Sequence, residues 1–269
     1  MKRQEIDVAL LQETKRPPRD IEIQGYRVFL HGKNDKENRS GVGIMLSPKA
    51  KRAWERAGSP LPIGIDCARA GRIIALRLDF ADPDTEESDM ILVISAHLPH
   101  SGKQSYSDED YDDCLEILSE VVNKSRREHK GILVVIGGDL NAQLGTVQAD
   151  DGIGCAVGPY GITNVNARGK MFLRYAENEK LVSTTTHFES KSYGTWRRIS
   201  DKILVQIDHV LVDDMRRIAN ASVDDKQLLA SDHQSISITI LEKKRKKKGG
   251  TRQKRQQKVQ SIRGTTETG

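Results

Sequence analysis

The chain has 269 residues and a formal net charge of +5, with 43 Lys and Arg against 38 Asp and Glu. This length suffices for one sizeable hydrophobic core, and the longest apolar runs, such as residues 90–94, are too short to span a membrane. No segment has the composition of a signal peptide. The three cysteines, Cys67, Cys114 and Cys155, are widely separated and odd in number. They predict free thiols in a reducing compartment, the nucleus or the cytoplasm.

The positive charge is concentrated at one end of the chain. Residues 243–269 contain eleven Lys and Arg and one Glu, a net charge of +10, so residues 1–242 carry −5. We therefore expect one folded domain, 1–242, and a basic disordered tail, 243–269. An acidic body is compatible with a carboxylate-lined cation site, and a basic tail with an anionic partner or a nuclear-localisation signal. The alternative for the tail is a solvated end that keeps the protein soluble.

Apolar patterning predicts strands and helices along the whole body. Ser107 is a candidate N-cap for the clearest helix, and proline at positions 60 and 62 leaves residues 50–70 unassigned. Strands alternating with helices, together with several strand-to-strand hairpins, predict an α/β sandwich of mixed sheets. The predicted strands are 6–13, 26–31, 42–46, 73–80, 90–97, 132–136, 205–212 and 235–241, and the predicted helices are 107–127 and 168–179.

Residues 132–136 are five consecutive apolar residues, typical of a strand buried on both faces. Gly137 and Gly138 are expected to end this strand, with Asp139 and Asn141 just beyond it. If the backbone stays extended, these two polar side chains point the same way and can serve a reaction that needs a base beside a neutral donor. The alternative is an Asp/Asn turn with no further role.

Polar residues also cluster at or within other strands. One of them, Asp208, lies within an apolar strand and needs a partner, for which a histidine is the best candidate. Each cluster alone could be a turn or a salt bridge, but five in one acidic body indicate a functional site. The clusters are Gln12–Glu13, Ser95–His97, Asp139–Asn141, Gln206–His209 and Ser231–His233.

Four segments in this order resemble the signatures of the endonuclease/exonuclease/phosphatase superfamily. They are LLQET at 10–14, GGDLNA at 137–142, QIDHVLV at 206–212 and SDHQSI at 231–236. Residues 158–182 and the GTWRR segment at 194–198 resemble more narrowly the endonuclease domains of non-LTR retrotransposons and the craniofacial-development-like proteins. The resemblance covers most of residues 5–241. It implies a four-layer α/β sandwich of two mixed sheets flanked by helices, and a Mg²⁺- or Mn²⁺-dependent endonuclease that hydrolyses the DNA backbone.

The resemblance also implies a role for each matching residue. Glu13 and Asp232 are implied as metal ligands, and Asp139 as the group that activates or positions water. Asn141 and His233 would face the scissile phosphate, with Asp208 orienting His233. The remaining candidates are His97, which stands where the DNA-repair members carry Tyr and could donate to phosphate, and three substrate contacts, His100, Trp196 and Arg197. Trp196 could stack on a nucleotide or simply pack.

The chain departs from the superfamily pattern before Glu13. The family opens with a strand bearing an Asn that helps to place the metal, and no such strand precedes Glu13, so we expect the inner sheet to lack its first strand. Two alternatives to a DNA endonuclease therefore stay open. One is a non-catalytic remnant that binds nucleic acid through its tail, and the other is a phosphatase or lipid phosphodiesterase on the same fold. We expect His31, His187 and His209 to be packing or surface histidines.

Overall fold

The computed structural model describes residues 6–33, 40–68, 70–81, 87–101, 106–147, 156–198, 202–224 and 231–243. The predicted tail, apart from Lys243, and Cys155 lie outside this part of the chain. No helix in these ranges is long and apolar enough to cross a membrane. The helices are α1 (Pro48–Arg56), α2 (Asp108–Glu128) and α3 (Ala167–Asn178). The strands are β1 (Val8–Gln12), β2 (Arg19–Ile23), β3 (Tyr26–His31), β4 (Val42–Leu46), β5 (Ile63–Cys67), β6 (Ala70–Asp79), β7 (Met90–His97), β8 (Leu133–Asp139), β9 (Val182–Ser183), β10 (Trp196–Arg197), β11 (Leu204–Val205), β12 (Asp208–Val212), β13 (Ile218–Val223) and β14 (Ile236–Ile240).

Two sheets form the body of the molecule. The larger sheet has six strands in the order β5–β6–β7–β8–β12–β9, and it is mixed because β7 and β8 are parallel whereas its other neighbours are antiparallel. The smaller sheet, β1–β4–β3–β2, is entirely antiparallel. Strands β13 and β14 form a separate antiparallel pair, as do β10 and β11. The predicted α/β sandwich is confirmed.

The hydrophobic core lies in two layers, one on each face of the larger sheet. Alternation along β8 shows the division, because Val134 and Ile136 face α2 and α3 whereas Leu133 and Val135 face the smaller sheet. The short helix α1 contributes Ala50 and Ala53 to the second layer. Strand β8 is therefore buried on both faces, as its apolar sequence predicts.

The N-terminus of α2 forms the predicted cap. Ser107 Oγ accepts from the backbone N–H of Asp110 at 3.1 Å, and the Asp110 carboxylate accepts in return from the N–H of Ser107 at 2.8 Å. Tyr111, Leu115 and Leu118 of this helix are buried in the first core layer. The helix thus fixes the larger sheet from the side opposite to the smaller sheet.

The two glycines of β8 do not end the strand, contrary to the sequence prediction. The strand runs through them to Asp139. Gly138 has φ 149°, and a Cβ there would lie 1.9 Å from the carbonyl oxygen of Ala96, while a Cβ on Gly137 would lie 2.7 Å from the Leu10 side chain. The glycines therefore allow the close approach of neighbouring chain segments.

The predicted strand 205–212 is interrupted in the structure. It divides into β11 and β12, with Gln206 and Ile207 between them. Thr195 Oγ1 accepts from the backbone N–H groups of Ile207 and Asp208 at 3.1 and 3.0 Å, so these groups are satisfied by a side chain outside the sheet ladder. Strands β2, β5 and β13 and helix α1 were not predicted from the sequence.

Two of the three cysteines are bonded, contrary to the prediction of free thiols. Cys67, at the end of β5, forms a disulfide with Cys114 on α2, with 5.7 Å between their Cα atoms. The two residues are 47 positions apart. Only the packing of α2 across the larger sheet brings them together, so their spacing along the chain carried no signal.

A cleft of about 290 Å³ opens between the smaller sheet and the β13–β14 pair. It is lined by consecutive residues of β1, by Ile236 and Ile238 of β14, and at its base by β8 and β12. Within the described residues β1 is the first strand and has a single neighbour, β4. Among the described residues, the other edge of β1 therefore pairs with no strand and borders the cleft.

Candidate active site

Three strands of the larger sheet place polar side chains side by side at one end of the sandwich. In the parallel pair of β7 and β8, His97 is in register with Asp139, and in the antiparallel pair of β8 and β12, Asp139 is in register with Asp208. Residues in register on adjacent strands point to the same face. All three side chains therefore face the layer between the two sheets, where the cleft opens.

Asp208 and His233 form the pair that the sequence predicts. His233 Nδ1 lies 2.9 and 3.2 Å from the two carboxylate oxygens of Asp208, which is only 9% exposed. Ser231 Oγ accepts from the backbone N–H of His233 at 3.1 Å and fixes the turn that carries the ring. Because Nδ1–H donates to a carboxylate, Nε2 is the nitrogen left for a substrate.

The pKa values of Asp139 and His233 are both raised. Burial and the negative charge of Asp208 raise the pKa of Asp139 to about 8. Burial opposes the charged form of His233, but the hydrogen bond and charge of Asp208, with smaller contributions from Asp139 and Asp232, outweigh it and raise its pKa to about 9. In the neutral pH range His233 is thus a cationic donor, whereas the raised pKa of Asp139 favours its protonated form, which a nearby positive charge would ionise.

Asn141 lies in an Asp/Asn turn, so the backbone does not stay extended past Asp139 as the sequence interpretation assumed. Its φ is 50°, and its backbone N–H donates to Asp139 Oδ1 at 2.9 Å. The Asn141 side chain reaches its position through this turn and not through strand alternation. Its Nδ2 donates to the carbonyl oxygen of Leu98 at 2.9 Å, which holds the amide at the end of β7 and β8.

His97 is a buried, neutral member of the group. Its Nε2 lies 3.8 Å from Asp139 Oδ2. Burial lowers the pKa of His97 to about 3, with a smaller contribution from the positive charge of Arg72. Among the described residues its Nδ1 has no hydrogen-bond partner. A neutral imidazole here can donate a hydrogen bond but carries no charge at neutral pH.

The two residues implied as metal ligands, Glu13 and Asp232, both line the cleft with Asp139. Glu13 follows β1, and its side chain, 52% exposed, forms an ion pair with Lys15 at 3.3 Å. Asp232 Oδ2 accepts from the indole Nε1 of Trp196 at 2.7 Å. Trp196 thus contacts an acid of the cleft, and its ring lies 6.3 Å from that of His233.

His100 and Arg197, the other two predicted substrate contacts, form no hydrogen bond with Asp139, Asp208 or His233 among the contacts of the described residues. His100 is exposed and packs edge-on against Tyr106 at 5.8 Å between ring centroids. Arg197 is exposed, and its Nη1 donates to the carbonyl oxygen of Lys202 at 3.1 Å, while its backbone N–H donates to the carbonyl oxygen of Asp232 at 3.3 Å. A role for either of them in binding substrate stays a prediction.

Thr195 is a site residue that the sequence interpretation did not identify. It is fully buried, its hydroxyl accepts from the N–H of Asp208, and its carbonyl oxygen accepts from the N–H of Gln234 at 2.6 Å. It thereby connects the strand bearing Asp208 with the turn bearing His233. Its position between Gly194 and Trp196, in the GTWRR segment, was the only sequence signal.

The site has the donor set of a divalent-cation site. Oxygen atoms of Asp139 and Asp208 and a nitrogen of His233 lie within 4.8 Å of one another. Glu13 and Asp232 line the same cleft, so four carboxylates and one imidazole belong to this region. Burial, together with the negative charge of Asp208, raises the pKa of Asp139. Carboxylate oxygens at this density suit Mg²⁺ or Mn²⁺. This cluster of Asp139, Asp208 and His233 is not the ligand pair implied by the resemblance, Glu13 and Asp232. Asp208 and His233 are hydrogen-bonded to each other, which leaves them less free to bind a cation.

Comparisons with known proteins identify the fold. No protein-family model matches the chain, and no curated protein matches it. The 3′ phosphatase NExo from Neisseria, solved with a product DNA hairpin, superimposes with a TM-score of 0.56 at 16% identity over 87% of this chain and 88% of that one. An endonuclease/exonuclease/phosphatase family protein from Leptotrichia buccalis (TM-score 0.47, 15% identity, 79% and 70% covered) and truncated TDP2 from Caenorhabditis elegans (0.48, 13%, 86% and 82%) are also similar. This chain therefore shares the α/β sandwich fold of the Neisseria phosphatase.

Proposed function

We propose that this protein is a divalent-metal-dependent phosphodiesterase that hydrolyses the DNA backbone, of the retroelement endonuclease type. The observation that carries the proposal is the juxtaposition of Asp139 with the Asp208–His233 pair in the lining of the cleft. Superfamily membership is part of the proposal and is supported by the order of the four sequence signatures and by the shared fold. The segments 158–182 and 194–198 support the retroelement type.

The side chains present can divide the reaction between them. Asp139, in its ionised form, takes up a proton of the attacking water as the new P–O bond forms. The P–O bond to the leaving sugar oxygen breaks at the same time, and that oxygen takes a proton from solvent. His233, held by Asp208, presents Nε2–H to the phosphoryl oxygens, where negative charge increases in the transition state. The Asn141 amide, held at the end of β7 and β8, is proposed as a neutral donor to the same phosphate. Each group is fixed before substrate arrives, which lowers the cost of reaching the transition state.

Glu13 and Asp232 are the residues proposed to hold the cation, with Asp139 close by. A bound Mg²⁺ or Mn²⁺ would act as a Lewis acid on the phosphate and neutralise charge during an in-line displacement. DNA as the substrate class is supported by the DNA hairpin bound to the Neisseria phosphatase, which shares this fold.

The domain bounds of 1–242 and the DNA-binding tail belong to the same proposal. A nuclear location now stays a prediction from the basic tail alone, because the Cys67–Cys114 bond removes the argument from free thiols.

Nicking of supercoiled plasmid in Mg²⁺ or Mn²⁺ tests the proposal. Wild-type protein should nick the plasmid, and His233→Ala should lower the rate roughly 100-fold or more, as expected for loss of a donor to the transition state. Asp208→Asn should lower the rate as well, and it should add little in the His233→Ala background because Asp208 acts through the ring.

His129→Ala is the matched control, since His129 lies at the C-terminal end of α2 and outside the cleft. It should nick at the wild-type rate. A folded wild-type protein that leaves plasmid intact at high enzyme and metal would contradict the proposal, and it would favour the non-catalytic interpretation. Equal rates in wild type and His233→Ala would indicate a contaminating nuclease.

A phosphatase acting at DNA 3′ ends is the second candidate, and the fold shared with a 3′ phosphatase favours it. The same cation site and donors would serve a terminal phosphate. An oligonucleotide carrying a 3′-phosphate, tested beside the plasmid, separates the two activities. Release of phosphate without nicking would favour this candidate.

A further inference from the structure

The backbone around Asn141 is held by side chains from three different elements. The hydroxyl of Tyr111 on α2 donates to the carbonyl oxygen of Leu140 at 2.9 Å. Nδ2 of Asn166, the N-cap of α3, donates to the carbonyl oxygen of Asn141 at 3.4 Å, and His209 Nε2 donates to that of Ala142 at 3.0 Å. Three consecutive carbonyl groups of residues 140–142, called here the Asn141 turn, thus each have a side-chain donor.

His209 is the most constrained of these donors. It is 1% exposed, and its second nitrogen, Nδ1, lies 3.3 Å from Ser183 Oγ. Because the carbonyl oxygen of Ala142 can only accept, Nε2 carries the proton. Burial lowers the pKa of His209 and keeps the ring neutral, so Nδ1 accepts from the Ser183 hydroxyl. The tautomer is fixed, and both ring nitrogens are used within the protein. His209 therefore cannot exchange a proton with a substrate.

Strand β12 directs its first two residues to opposite faces of the larger sheet. Val210 and Val212 belong to the core layer between the sheets, whereas Leu211 belongs to the layer against the helices. By the same alternation Asp208 faces the cleft and holds His233, while His209 faces the helices and holds the Asn141 turn. Adjacent residues of one strand thus hold both groups that face the phosphate in the proposed reaction.

We propose that His209 is a positioning residue that sets the orientation of the Asn141 amide. This inference rests on the proposed function for the identity of Asn141 as a phosphate contact. Asn141 has φ 50°, in the left-handed region, and its amide is held by Leu98, so the turn needs restraint at both ends to keep the side chain in place. Without the hydrogen bond from His209, the backbone at Ala142 is free to move. The Asn141 amide would then no longer be held in the orientation that contacts the phosphate.

Two substitutions of His209 distinguish the effect of its hydrogen bond to Ala142 from the effect of the space that its ring fills. His209→Gln places an amide N–H near the position of Nε2, whereas His209→Leu fills the space without a donor. We expect His209→Leu to lower kcat about 10- to 100-fold with KM little changed, as a misplaced catalytic group does. His209→Gln should restore most of the rate. In the Asn141→Ala background, His209→Leu should have no further effect on kcat.

Leu211→Ala is the matched control for lost stability. Leu211 is fully buried on the same face of β12, but it belongs to the apolar core and has no part in the turn. All variants are compared below their melting temperatures, and Leu211→Ala should keep the wild-type kcat. A loss in Leu211→Ala equal to that in His209→Leu would overturn the inference, because the effect would then come from general destabilisation.

NMR tests the positioning of Asn141 by His209 without relying on enzyme activity. The backbone and side-chain amide resonances of Asn141 should shift in His209→Leu and stay in place in His209→Gln and Leu211→Ala. Unchanged Asn141 resonances in His209→Leu would overturn the inference even in an active enzyme. If the wild type is inactive on DNA but these resonances shift as expected, the proposed function fails while the positioning of Asn141 by His209 stands.

Discussion

At the residue scale, the half-buried His233 and the buried His209 differ according to their neighbours. His233 has an acidic partner, and its pKa is raised to about 9. Burial lowers the pKa of His209 to about 4, and it outweighs the opposing effects of the backbone carbonyl groups of Ala142 and Gln206 and of the charge on Asp208. The same side chain is therefore a cation in one place and a neutral hydrogen-bonding group in the other. In the sequence the two histidines look alike, because each directly follows an Asp.

The lowered pKa of His209 predicts that acid destabilises the protein through this residue. The unfolded chain binds a proton to His209 near pH 6.5, the folded chain only near pH 4. Between these values the unfolded state holds more protons, so the stability present above pH 6.5 is lost as pH falls towards 4. For one such group, the free energy of unfolding changes by up to about 1.4 kcal/mol per pH unit.

The measurement is urea unfolding of wild type and His209→Gln at a series of pH values. The free energy of unfolding of the wild type should fall relative to the variant between pH 6.5 and 4, and the difference should be constant above pH 7. Parallel curves across the whole range would show that His209 is protonated equally in both states.

At the element scale, the Cys67–Cys114 disulfide joins the edge strand β5 to helix α2. In the chain-entropy model a loop of this length stabilises the folded state by about 4 kcal/mol, and measured values range from roughly 0 to 5. We expect reductant to lower the urea midpoint of the wild type. Cys67→Ser, which has no bond to lose, should have a midpoint that does not respond to reductant.

The test compares urea midpoints with and without reductant, and free-thiol titration of the unfolded, non-reduced protein supplies the control. The wild type should show two fewer reactive thiols before reduction than after. Identical midpoints together with a full complement of free thiols would mean that the two cysteines are adjacent but unbonded in solution.

At the scale of the whole molecule, charge is distributed unequally between body and tail. Residues 1–242 carry −5 and repel DNA at long range, whereas residues 244–269 contain ten Lys and Arg and one Glu. Each phosphate contact contributes about −0.9 to the slope of log affinity against log salt. If the tail makes a handful of contacts, its deletion should flatten that slope by several units. Turnover at saturating DNA should change little, because all the proposed catalytic groups lie within residues 1–242.

Fluorescence anisotropy with labelled duplex DNA across a salt series measures this slope for the full chain and for residues 1–243. Ending the shortened chain at Lys243 keeps the backbone hydrogen bond from its N–H to Asp89. A further variant with the six contiguous basic residues 243–248 changed to Gln separates charge from chain length. An unchanged slope after deletion would leave the tail as a solubilising end.

Local patterning determined much of the fold without any structure. The bounds of β3, β4 and β7 agree with their predicted ranges, and α2 and α3 are displaced by one residue at most. Such elements are visible in sequence because each has a regular apolar period and a clear cap or turn at its ends. Strand β2, with exposed residues on both faces, and the short β5 lack that period, so their assignment depended on their pairing partners.

The candidate site divides in the same way. The sequence by itself determined which polar residues stand at strand ends, and it predicted the bond between Asp208 and a histidine, because an acid in an apolar strand needs a partner. Only the tertiary structure decided the roles that depend on several elements at once. The strand registers bring Asp139 beside Asp208, Thr195 reaches the amide of Asp208, and His209 reaches the carbonyl group of Ala142, 67 positions away. Hydrogen bonds over such separations leave no periodic trace in the chain, since any residue of suitable shape could supply the donor once the fold has brought it near.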